Sequence, residues 1–74
     1  MEKTHTISSV TPLIDENGKR YWCKVRAKRN DKPEYWQGRT YSIWEMKTKF
    51  NIETPEACKN LLNKPCKVTY DLEF

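Results

Sequence analysis

Long apolar runs are missing from this chain. No stretch approaches the roughly 18 apolar residues that a membrane-spanning helix needs. The opening MEKTHTISSV lacks the basic start and apolar middle of a secretory leader, so the expectation is a soluble, cytoplasmic protein with no membrane partner. Histidine occurs once, as His5, and the three cysteines (Cys23, Cys58, Cys66) form no CxxC pair, which leaves too few ligands in register for zinc. No cofactor is expected. Each cysteine stands where an apolar residue suits the local pattern, so all three are expected as reduced, buried thiols, with Cys58 and Cys66 the pair whose bridging stays open.

Catalytic signatures are absent as well: no GxGxxG, P-loop, HExxH or GxSxG pattern occurs. His5 lies close to the N-terminus with no Cys or Ser beside it to activate. The acids are scattered, with Asp15 and Glu16 in a turn and Asp71 and Glu73 beside Lys67 on the outer side of the last strand. A nucleophile, a base and a charge stabiliser are not assembled, and the chain is read as non-enzymatic.

What is present is charge and aromatic area in the same place. Residues 18–50 hold ten Lys or Arg against three acids, a local net of +7, inside a chain whose total is +4. Seven of the nine aromatic residues lie there too: Tyr21, Trp22, Tyr35, Trp36, Tyr41, Trp44 and Phe50. Cations follow a phosphate backbone and flat rings stack on unpaired bases, so the combination suits single-stranded nucleic acid. The competing explanation is that a domain of 74 residues needs these rings for its core. One domain is expected, spanning residues 4–74 after a flexible 1–3.

Period-two alternation separates the two roles. Residues 4–13 (THTISSVTPL) are rich in β-branched side chains, but Ile7 and Val10 are three apart, which predicts a bulge at Ser8 and Ser9. Pro12 predicts an edge for the end of that strand. Asp15-Glu16-Asn17-Gly18 reads as a turn. Residues 20–28 alternate cleanly: Tyr21, Cys23, Val25 and Ala27 face a core, while Arg20, Trp22, Lys24, Arg26 and Lys28 face away, since that many charges cannot be buried unpaired. Residues 29–34 form a hairpin loop and 35–44 the returning strand. Gly38 suggests a bulge or close approach, with Tyr41 and Ile43 inside and Trp36 and Arg39 on the side of Trp22. Thr54-Pro55-Glu56 starts a helix over residues 55–62 with Ala57, Cys58, Leu61 and Leu62 as its apolar stripe, and Asn63-Lys64-Pro65 ends it. Residues 66–74 (CKVTYDLEF) alternate as one last strand with Cys66, Val68, Tyr70, Leu72 and Phe74 inward.

The order β-β-β-α-β is mainly β with one short helix. It admits a small, partly open barrel or an open antiparallel sheet with the helix packed on one face. The order resembles an OB-fold short of its last strand, a resemblance that implies a barrel and by itself no function. The leading expectation is a sequence-tolerant binder of single-stranded DNA or RNA. Trp22 and Trp36 would stack bases, Arg26 and Arg39 would add planar cation contacts, and Arg20, Lys24, Lys28 and Arg29 would hold phosphates. The alternative is a small protein-interaction module or inhibitor, of the kind phages and mobile elements encode, that binds an acidic protein surface through the same hairpin. Either would act as a monomer or homodimer.

Overall fold

The computed structural model describes residues 3–74. Of the two architectures the sequence admits, the chain forms the open antiparallel sheet. Its five strands are β1 (His5–Ile14), β2 (Tyr21–Arg29), β3 (Trp36–Ser42), β4 (Pro65–Val68) and β5 (Leu72–Glu73), in the order β3-β2-β1-β4-β5. Helix α1 (Ile43–Phe50) follows β3 directly, and a 3₁₀ helix spans Glu56–Leu61. Among the described residues no helix is long and apolar enough to cross a membrane. Of the expected flexible stretch 1–3, residues 1–2 lie outside the described residues, and the Lys3 ammonium donates to the Phe74 carbonyl at 2.6 Å.

The β1 bulge falls where the spacing of Ile7 and Val10 requires it. The register with β2 shifts between Ile7 and Ser9, so Ile7 stands opposite Ala27 and Val10 opposite Val25, both on the apolar side. Without the extra residue one of the two would point to the opposite face. Beyond Thr6, β4 no longer pairs with β1. Pro12 therefore sits where one side of the strand is open, and its missing N–H breaks no ladder there. The turn after β1 closes with Asp15 accepting from Gly18 N–H at 3.1 Å, Gly18 taking a φ of 69° that only glycine adopts freely.

One face of the sheet is covered and the other is bare. Ile7, Cys23, Val25, Ala27 and Tyr41 are fully buried on the covered face, packed with Met46 of α1, Cys58 and Leu61 of the 3₁₀ helix, and Cys66 of β4. All three cysteines are free thiols. Burial pushes the Cys23 thiol up to about 12, with Cys58 beside it adding to the effect, and burial also raises Cys58 and Cys66. His5, expected near a mobile end, instead sits in β1 between Arg29 of β2 and Cys66 of β4.

Three expectations about local structure are corrected. Residues 43–50 are helical and do not continue β3: Ser42 Oγ accepts from Glu45 N–H at 3.3 Å while the Glu45 carboxylate accepts from Ser42 N–H at 3.4 Å, a complete capping box. Ile43 is half-buried from the helix, packed against the core from there and not from a strand. The expected helix over residues 55–62 is a 3₁₀ turn, too short for α propagation; Thr54 Oγ1 accepts from Ala57 N–H at 3.2 Å and Asn63 ends it at a φ of 67°, with Leu62 left exposed. The last strand is broken into β4 and β5 by a turn that leaves Tyr70 fully exposed, and Phe74 is only partly covered.

Candidate functional site

The bare face is organised by the pairing of β2 with its neighbours, because directly opposed residues point to the same side. Trp22, Lys24, Arg26 and Lys28 stand opposite Ser42, Thr40, Gly38 and Trp36 of β3. On the other flank Leu13, Thr11, Ser9 and Thr6 of β1 lie opposite the same four β2 residues. A row of cations with a Trp at one end thus runs between two uncharged rows, five of whose eight residues carry a hydroxyl, and no carboxylate occupies any of these strand positions. Arg20 extends the row past Trp22 and is exposed.

Both tryptophans of the expected site are on this face, Trp22 42% and Trp36 50% exposed. Six residue steps along β2 separate their positions, about 20 Å at the rise of a strand, so they are two stations and not one platform. Trp36 is held in place by its neighbours. Its ring leans over Gly38, where an added Cβ would meet it at 3.3 Å, and the Arg26 guanidinium lies 4.7 Å from the ring centroid. The close approach expected at Gly38 is therefore made by a side chain, and the β2–β3 register runs through without a bulge.

Two expected site residues lie elsewhere. Arg39 stands opposite Val25, on the covered side, because the unbroken register keeps it in the same parity as Tyr41. It pairs with Asp71 at 3.6 Å, and its guanidinium lies 5.6 Å from the Tyr41 ring centroid. Arg29, at the end of β2 in the core parity, makes two hydrogen bonds to the Asp31 carboxylate, at 2.9 and 2.7 Å. Those bonds raise the Arg29 pKa and lower that of Asp31. Among the described residues Arg20, Lys24, Arg26 and Lys28 have no carboxylate partner within ion-pair distance, whereas Arg29, Arg39, Lys47 and Lys49 each do. The expected set of eight therefore reduces to six on one face: Arg20, Trp22, Lys24, Arg26, Lys28 and Trp36.

Asp71 is the polar centre of the covered side, and its expected place on a solvated outer surface is corrected. It accepts hydrogen bonds from the Tyr41 hydroxyl, the Lys49 ammonium and Leu72 N–H, the last at 2.7 Å. Burial alone would raise its pKa; the hydrogen bonds from Lys49, Tyr41 and the backbone outweigh it and hold the carboxyl down at about 2. Tyr41 moves the other way, its pKa raised by burial and then by the Asp71 carboxylate beside it.

The sequence reading missed Trp44. It is the most exposed of the three tryptophans, at 72%, and the second residue of α1. With Trp22, Arg20, Tyr21, Ser42 and Ile43 it lines an open hollow of about 330 Å³ at the end of the cation row. The signal was available: Ser42-Ile43-Trp44-Glu45 has the S-x-x-E spacing of a helix start, which turns Trp44 from a strand residue into one displayed at a helix N-terminus. Comparison of the chain with protein-family models, with curated proteins and with solved structures finds no match.

Proposed function

We propose that the bare face of β1, β2 and β3 binds single-stranded nucleic acid with little sequence preference. The observation that carries the proposal is the row Arg20, Lys24, Arg26 and Lys28, without carboxylate partners among the described residues and bracketing an exposed Trp22, on a sheet face whose strand positions hold no acid. Maintaining such a row costs self-repulsion, which an anionic backbone laid along β2 relieves. The four cations would hold phosphates; Trp22 would stack one base, and Trp36 with Arg26 on its ring would offer a second flat surface. The two lysines of α1 are paired with Glu53 and Asp71, and stacking requires bases that are already unpaired, so preference is for strandedness. The flanking Thr11 and Thr40 would supply neutral hydroxyls to phosphate oxygens.

The test is intrinsic Trp fluorescence during titration with oligothymidine across a range of salt. Four neutralised phosphates on a single strand give a slope of log affinity against log salt of about −2.8, or roughly 50-fold weaker binding at 200 mM than at 50 mM. All three tryptophans are exposed, so a bound base has a reporter. A slope near zero, or no fluorescence change at low salt, would refute nucleic-acid binding and leave the acidic protein surface as the partner for this face.

A further inference from the structure

The cation row ends in the hollow between β2 and α1, and the two walls of that hollow come from different elements. Trp22 projects from the bare face of β2, and Trp44 projects from the first turn of α1. The Ser42 hydroxyl and backbone N–H are both engaged by Glu45, and Ile43 contributes only carbon, so the lining presents ring and aliphatic surface with few free polar groups. Its charged member is Arg20, which has no carboxylate partner among the described residues. Lys24, the next outward-facing residue after Trp22, stands immediately beyond.

An apolar slot with two aromatic walls and a cation on each side of one wall matches the chemistry of a nucleotide unit: a flat ring with an anionic group on either side. A greasy peptide side chain would fill the slot and leave Arg20 and Lys24 unmatched. We propose that the hollow is the end station of the nucleic-acid track and takes one unpaired base between Trp22 and Trp44, with its flanking phosphates on Arg20 and Lys24. The proposal rests on nucleic-acid binding by the bare face. The lining offers no fixed pattern of donors and acceptors, so any base fits, and what the station selects is the presence of a base.

The discriminating experiment compares oligothymidine with an abasic deoxyribose-phosphate chain of the same length, for the unaltered protein and for Trp44→Ala, Trp44→Phe and Trp22→Ala. Trp44 is largely in solvent and Ala is a good helix former, so Trp44→Ala leaves the fold intact, which circular dichroism checks. Expected is a loss of oligothymidine affinity between about 5-fold and 150-fold for Trp44→Ala, with unchanged salt slope, unchanged affinity for the abasic chain, and substantial recovery in Trp44→Phe. Equal weakening toward both ligands, or no weakening toward either, while Trp22→Ala still loses affinity for oligothymidine, overturns the base station and leaves the track standing. If the unaltered protein binds neither oligonucleotide but its fluorescence responds to polyglutamate, the track and the station both fall.

Discussion

Asp71 sets up the sharpest test of how this small domain holds its second layer. Its side chain is 23% exposed and receives Tyr41 from β3, Lys49 from α1, and Arg39 at 3.6 Å, so a single carboxylate joins the β4–β5 hairpin to the opposite edge of the sheet and to the helix. The folded protein holds this group at about 2 against 3.8 ordinarily. As pH falls the unfolded chain takes up the proton first. The stabilisation is therefore complete above about pH 5 and is lost as pH drops from about 4 through 2. Each pKa unit corresponds to about 1.4 kcal/mol, which makes the contribution about 2 kcal/mol at neutral pH. Asp71→Asn keeps an oxygen to accept from Tyr41 and Leu72, and removes the charge together with the second oxygen that accepts from Lys49. It is expected to lower stability at pH 7 by about 1 to 2 kcal/mol, or about 4 to 16 °C in Tm for a domain of this size. Urea unfolding of both proteins at several pH values between 2 and 7 measures it. The difference between them should close toward pH 2, because the native carboxylate is then protonated as well. A variant as stable as the parent at pH 7, or a difference that persists undiminished at pH 2, would refute the account of Asp71 as an ionic tie.

Lys24→Ala should flatten the salt dependence of oligothymidine binding by about 0.7 in slope, whereas Arg39→Ala should leave the slope alone and lower Tm, because its guanidinium is spent on Asp71; equal effects on the slope would mean that Arg39 reaches the ligand. Ser42→Ala removes the side-chain half of the α1 cap and should cost about 1 kcal/mol in urea unfolding, with Trp44 emission shifting as the first turn frays. No measurable cost would mean that packing of Met46 and Phe50 alone holds the helix. At pH 8 the three buried thiols should be protonated and shielded, so a disulfide reagent should titrate none of them in the native protein and all three in denaturant. Rapid native reaction of one equivalent would contradict the burial of Cys23, Cys58 and Cys66.

Where pattern and burial agree over short range, the residues alone were enough. The β1 bulge, the two faces of β2, the Asn-Gly turn and the outward position of Trp22 all follow from a side-chain period of two combined with the cost of burying cations. Arg39 was legible too. Tyr41 inside places Arg39 inside by the same parity, and only a register break between Arg39 and Tyr41, which β3 does not make, would have moved it. The S-x-x-E start of α1 was written in the chain but masked by Tyr41, Ile43 and Trp44, residues that favour strands when their burial is unknown.

Other features belong to the tertiary structure because their causes are far apart in sequence. Residues 66–74 alternate without a fault, yet the strand breaks so that Asp71 meets Tyr41 and Lys49, 30 and 22 positions away. The slot between Trp22 and Trp44 likewise exists only once α1 leaves the end of β3 beside the start of β2. By itself the sequence determined which face of β2 carries the charge and Trp22, since each residue's side is set by its immediate neighbours. Which cations stay free on that face, and where a third tryptophan closes its end, only the folded chain decided, because ion pairing and cavity walls depend on partners that local periodicity does not contain.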